Sequence, residues 1–105
     1  MDKSKALETV QRYLKKIAGK YQIESAIIFG SYARDTQNKD SDIDLAIIFK
    51  SVDDIIDLQI DLMKMRTDDD LLIEPHPFSE KDFEISNPVV SEILKNGILI
   101  PIPAA

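Results

Sequence analysis

The sequence has no cysteine, which excludes a disulfide framework, a zinc–thiolate centre and a thiol nucleophile. That absence fits a reducing cytoplasm, and a cytoplasmic location is the expectation. There is one histidine, His76, set between prolines, and no Ser-His-Asp arrangement can be argued from it. No apolar run approaches the roughly 18–20 residues that span a bilayer. The opening MDKSKALETVQRYLKK is charged and amphipathic and lacks the apolar core of a signal peptide, so no membrane association is expected. Internal repeats, low-complexity tracts and linkers are missing, as is the phosphate-loop pattern GxxxxGK followed by Ser or Thr. Cations are in the minority: 13 Lys and Arg face 19 Asp and Glu, a net charge of −6, and aromatics make up 7%. An acidic chain poor in aromatics repels a nucleic-acid backbone, so direct nucleic-acid binding is not expected.

What is present reads as one small domain over residues 1–105, with apolar content of 44% sufficient for one core. Ala6, Val10, Tyr13 and Ile17 recur at helical spacing within residues 5–19, with Ser4 as a candidate cap. SAIIF (25–29) and IDLAIIF (43–49) are short strand-like runs. Ser51 and Asp54 have capping-box spacing before a helix face of Ile55, Leu58, Leu62 and Met65. LLIEPHPF (71–78) reads as a third strand, with Pro75 and Pro77 marking an edge position or a strand end. Asn87-Pro88 opens a short helix that Gly97 ends, and Ile98–Ile102 is a candidate last strand in an apolar tail that completes the sheet or joins an interface. Strands alternating with helices predict an α/β or α+β sheet with helices packed on it. Whether a short helix follows Gly30 stays open.

Aspartates bunch at 40, 42 and 44, at 53, 54 and 57, and at 68, 69 and 70. The second and third groups read as solubility and helix ends. The first is regular and borders an apolar strand. Strand alternation puts Asp42 and Asp44 on one side, roughly 6–7 Å apart, with Ile43 and Leu45 facing the core. Two carboxylates on one face are a hard-oxygen set for Mg²⁺ or Mn²⁺, and paired ions can clamp a phosphoryl group in line. Upstream, Gly30 ends the strand SAIIF and lets a phosphate approach the backbone. Ser31 offers a hydroxyl and the free N–H groups of a turn, and Arg34 offers charge or a tether for the loop.

GSYARDTQNKDSDIDLAIIF closely resembles the GSxARG…SDxDL signature of the DNA polymerase β-like nucleotidyltransferase superfamily. The small size resembles its minimal nucleotidyltransferase (MNT) branch. The strong resemblance spans roughly residues 25–49, and the order of elements extends it more loosely. It implies a mixed sheet flanked by helices, a nucleoside triphosphate substrate such as ATP, a divalent metal, and transfer of a nucleoside monophosphate to a hydroxyl. By the same resemblance Gly30 and Ser31 match the triphosphate-binding pair, and Asp42 and Asp44 match two metal-binding aspartates. Many MNT proteins resemble antitoxins of HEPN-type toxins, and some adenylylate a toxin tyrosine.

The sequence departs from the signature at Asp35, where the family has glycine. Asp tolerates a left-handed backbone, but its charge near a triphosphate is unfavourable unless it points away. The third metal carboxylate, supplied by a later strand in the family, is Glu74 or Asp70. Glu74 is preferred because it sits in an apolar run, where an unpaired carboxylate is costly; Asp70 better matches the family's Asp-Leu pattern. The two are four apart and would share a face of a regular strand. His76 alternates onto the same face as Glu74, which puts nucleotide or metal within its reach, but it reads first as an ordinary surface residue. The chain as given leaves little for an acceptor-binding region, so a partner protein or a second copy is expected to supply it. The competing expectation is an inactive MNT-fold module that neutralises a partner by stoichiometric binding.

Overall fold

The computed structural model describes residues 1–104. Helix α1 (Lys3–Ala18) opens the chain, followed by β1 (Ile23–Phe29), β2 (Ile43–Phe49), α2 (Ile55–Lys64), β3 (Ile73–Ser79), α3 (Pro88–Asn96) and β4 (Ile98–Ile100). The sheet order is β3-β2-β1-β4. β1 runs antiparallel to both β2 and β4, and β2 runs parallel to β3, so the sheet is mixed. A parallel pair cannot be closed by a hairpin, and α2 makes the crossover.

Several local expectations need correction. The α1 cap is Asp2, whose Oδ1 accepts from the Lys5 amide at 2.8 Å, so Ser4 falls inside the first turn. Asp54 is itself the α2 cap and accepts from the Ile56 and Asp57 amides; Ser51 lies upstream of the helix. After Gly30 there is a single 3₁₀ turn, Gly30–Tyr32. A second 3₁₀ turn, Asp68–Leu72, takes the start of what the apolar run marks as strand. Gly97 does follow α3, but in an extended conformation (φ −72°, ψ 159°); a side chain there would collide with Ile27 and the Ile93 carbonyl. The last residue of the apolar tail lies outside the described residues; within the tail, Ile98–Ile100 completes the sheet against β1.

The two faces of the sheet are covered unequally. On one, Ile28, Leu45, Ile47 and Ile73 pack beneath Val10, Leu14 and Ile17 of α1 and Leu58 and Leu62 of α2. Each fully buried aliphatic side chain there contributes about 1.5–3 kcal/mol. Tyr13 is wholly buried, and its hydroxyl donates to the Leu62 carbonyl, tying α1 to the end of α2. On the other face Ile27, Ala46 and Ile48 meet Ile93 of α3, with Phe29, Phe78 and Phe83 at the margin. The nine-residue α3 lies against β1. It leaves the start of β2 and β3 uncovered on this face, where alternation directs Asp44, Glu74 and His76.

β3 is an edge strand, one of the two placements its prolines allowed. Gln59 Nε2 donates to the Pro75 carbonyl at 2.9 Å, so that carbonyl faces away from β2. In a strand the N–H and C=O of one residue point the same way. The donors that Pro75 and Pro77 lack are therefore missing on the free side, and pairing with β2 continues from Ile73 to Ser79.

Candidate active site

Phe29, the last residue of β1, pairs with Asp44 of β2, which sets Gly30 beside the Asp44 side chain. Gly30 has φ 72°, in the left-handed region, where any Cβ is strained. A Cβ there would also overlap Asp44 Oδ2. Glycine thus serves the turn and leaves room for the carboxylate at once. The Gly30 carbonyl accepts from the Ala33 and Arg34 amides, each at 3.1 Å, which closes the turn. Tyr32 anchors it: the ring is buried and the hydroxyl donates to the Met1 carbonyl at 2.9 Å. Ser31 stays half-buried at the start of the turn.

Beyond the turn, Arg34 lies on the surface with Nη1 3.6 Å from Glu92 Oε1 of α3. That pair tethers the loop; an exposed pair is worth only about 0–1 kcal/mol, so Arg34 is free to exchange it for another anion. Asp35 adopts φ 57°, the left-handed conformation for which the family uses glycine. Its carboxylate accepts from Lys3 Nζ at 2.9 Å, which draws the negative charge toward the start of α1.

Parallel register places Asp44 level with Glu74. His76 lies two residues on, and its Nε2 is 3.3 Å from Asp44 Oδ1. One donor atom from each of Asp44, Glu74 and His76 lies within 4.8 Å of the others. The His76 ring packs edge-on against Phe29, centroids 5.0 Å apart. His76 therefore belongs to the constellation rather than the general surface. The signal available in the sequence was its two-residue offset from Glu74. Asp42 precedes the first residue of β2 and is exposed. It stands outside this three-residue group and lines, with Glu74, a groove beside Gln59 and Arg66 of the α2 region.

Asp70 is elsewhere. It is 4% exposed in the 3₁₀ turn, ion-paired with Lys16 of α1, and accepts from the Thr67 amide at 3.4 Å. The turn between it and β3 removes the shared strand face that a four-residue spacing implies. The reason for preferring Glu74 also needs correction: Glu74 is exposed at the sheet edge and carries no burial cost. What recommends it is register with Asp44.

Among the described residues no Lys or Arg pairs with Asp42, Asp44 or Glu74. Uncompensated carboxylates in one register, with an imidazole beside them, fit a divalent ion. Neighbouring ligands of a small octahedral ion are about 3 Å apart, so the three side chains would draw together to hold one.

The family model for polymerase beta nucleotidyltransferases matches residues 12–102. Two relatives from Methanocaldococcus jannaschii are provisionally named protein adenylyltransferases. One is 31% identical over 90 residues, covering 77% of this chain and 90% of the relative. The other is 43% identical over 44 residues, covering 42% of this chain and 45% of the relative, so this chain spans under half of its length. Among solved structures, a provisionally assigned nucleotidyltransferase from Sulfolobus solfataricus superposes with a TM-score of 0.70 at 20% identity, over 92% of this chain and 80% of that one. A toxin–antitoxin crystallised with AMP-PNP superposes with a TM-score of 0.60 at 17% identity, over 92% of this chain and 73% of that one.

Proposed function

Because the chain belongs to the polymerase beta nucleotidyltransferase family, we propose that it transfers AMP from ATP to a hydroxyl on a partner protein. The acceptor we favour is a tyrosine of a HEPN-type toxin, with this chain as the antitoxin. The relatives named as protein adenylyltransferases support a protein acceptor, and the toxin–antitoxin neighbour supports the pairing. The observation that carries the site is Gly30 set against Asp44, with Asp44 in register with Glu74.

In this reading Gly30 lets the triphosphate reach the backbone, the Ser31 hydroxyl donates to a phosphate oxygen, and Arg34 adds positive charge. Asp42, Asp44 and Glu74 would hold Mg²⁺ or Mn²⁺, which when bound would supply charge to neutralise the triphosphate and polarise the α-phosphoryl group. The acceptor oxygen bonds to the α-phosphorus, the bond to the β-phosphate bridging oxygen breaks, and pyrophosphate leaves. Glu74, exposed at the sheet edge, takes the hydroxyl proton. Asp35 does not oppose this chemistry, since Lys3 holds its charge.

The test is label transfer from α-³²P-ATP to a co-expressed partner. Label on the partner that disappears in Asp42→Asn/Asp44→Asn supports the reading. No label with any nucleoside triphosphate, together with neutralisation that persists in that variant, would replace it with a stoichiometric binder.

A further inference from the structure

Glu74-Pro75-His76-Pro77 holds two potential donors, each directly followed by proline. A residue before proline is disfavoured in the helical region and held extended, and each proline fixes its own φ. The pattern thus stiffens the two β3 positions that face Asp44, in an edge strand whose outer side has no strand partner. The His76 ring is further oriented by the Phe29 edge. It presents Nε2 to Asp44 Oδ1 at 3.3 Å. Backbone, ring packing and register all aim one nitrogen and two carboxylates at a common point.

We propose that His76 Nε2 is a direct metal ligand, completing with Asp44 and Glu74 an O,O,N set that selects Mn²⁺ over Mg²⁺. The proposal rests on the reading above only in that Asp44 and Glu74 hold the divalent ion. An all-carboxylate site is served by either metal, because both are hard cations with oxygen ligands. An imidazole changes this balance. Carboxylate, carbonyl and water suit Mg²⁺, Ca²⁺ and Mn²⁺ alike, whereas imidazole suits first-row transition ions; of the three hard cations Mn²⁺ alone belongs to that row and gains from the nitrogen. The three donor atoms already lie within 4.8 Å of one another, so binding needs no change of strand register. The same geometry without metal is a plain imidazole–carboxylate hydrogen bond, and the two states differ in what bonds to Nε2.

His76 is the only histidine, so isotopic labelling of histidine labels one residue. Pulsed EPR on the full chain loaded with Mn²⁺ alone is expected to show an imidazole ¹⁴N coupling. Growth with ¹⁵N-histidine should convert it to a ¹⁵N coupling. By calorimetry, His76→Ala is expected to lower Mn²⁺ affinity by at least the roughly tenfold that loss of even an outer-shell partner costs, and to change Mg²⁺ affinity less than twofold. Mn²⁺ bound without nitrogen coupling overturns the proposal and leaves the carboxylate site standing. Mn²⁺ affinity and nitrogen coupling both unchanged in Asp44→Asn remove Asp44 from the set and also overturn it. Failure of the wild type to bind Mn²⁺ at all removes both this proposal and the metal reading beneath it. The EPR experiment needs no His76 substitution, so a folding defect in that variant does not alter its outcome.

Discussion

Gly30 joins a φ of 72° to a position where any Cβ would overlap Asp44 Oδ2. Gly30→Ala therefore has to twist the turn or displace the carboxylate. The left-handed conformation alone costs an L-residue roughly 1–2 kcal/mol. The expected outcome is a stability loss of about that size or more in urea unfolding, with loss of Mg²⁺-ATP binding. Asp35 is the converse case. It holds φ 57°, where glycine relieves strain, but it also pairs with Lys3 on the surface. The gain from glycine and the loss of an exposed pair worth about 0–1 kcal/mol nearly cancel, so Asp35→Gly is expected to change unfolding free energy by less than about 1 kcal/mol. The departure from the family pattern is then a tolerated one.

At the scale of elements, Asp70 and Glu74 have different surroundings: Asp70 lies against Lys16 in the turn, and Glu74 lies level with Asp44. Asp70 answers Lys16 and caps the turn before β3, and the same ammonium also donates to the Met65 carbonyl and Thr67 Oγ1, each at 3.0 Å. Asp70 is buried while Lys16 is 38% exposed, so water softens the loss of the pair. Asp70→Asn is expected to cost about 1–3 kcal/mol and to preserve the response to Mg²⁺-ATP. Glu74→Gln is expected to leave stability within about 0.5 kcal/mol, as surface substitutions do, and to abolish that response. Thermal unfolding of both variants with and without nucleotide checks the pair; the opposite assignment would return Asp70 to the site.

The helix contacts also carry the pH dependence. Burial, the largest influence, pushes the Tyr13 hydroxyl well above its ordinary value of 10.0. A raised folded value favours the neutral group in the native state, so this contribution is whole below pH 10 and is lost as pH rises beyond it. Lys20 first, then Tyr21, hold the Asp61 carboxyl below its ordinary 3.8. That contribution is present above pH 3.8 and is lost as pH falls through the lowered native value. Urea midpoints of wild type and Asp61→Asn are expected to differ at pH 6 and to converge on acidification below pH 3.8. Tyr13→Phe is expected to blunt the fall in stability above pH 10.

For the whole molecule, saturating nucleotide is the broadest probe. A ligand at about 100 times its dissociation constant adds roughly 2.7 kcal/mol to the folded state. In a chain this size that raises the unfolding midpoint by on the order of 10 °C. The shift is expected with Mg²⁺-ATP or Mn²⁺-ATP on wild type and is expected to vanish in Asp42→Asn/Asp44→Asn. Among the described residues no helix is long and apolar enough to cross a membrane.

The sequence by itself determined what depends on neighbouring residues. Periodicity and β-rich runs marked three helices and the inner strands, paired prolines marked an edge or a strand end, and GSYARD…SDIDL marked the family. These are local because helix spacing, strand alternation and turn chemistry act over a few residues. Only the tertiary structure set Glu74 level with Asp44 and Asp70 apart from it, because that rested on a parallel register across α2 and on Lys16, fifty-four residues from Asp70 in the chain. It likewise brought His76 to Asp44, across thirty-two residues, and turned Asp35 toward Lys3. Charges and ligands choose partners by distance in space, and packing sets that distance.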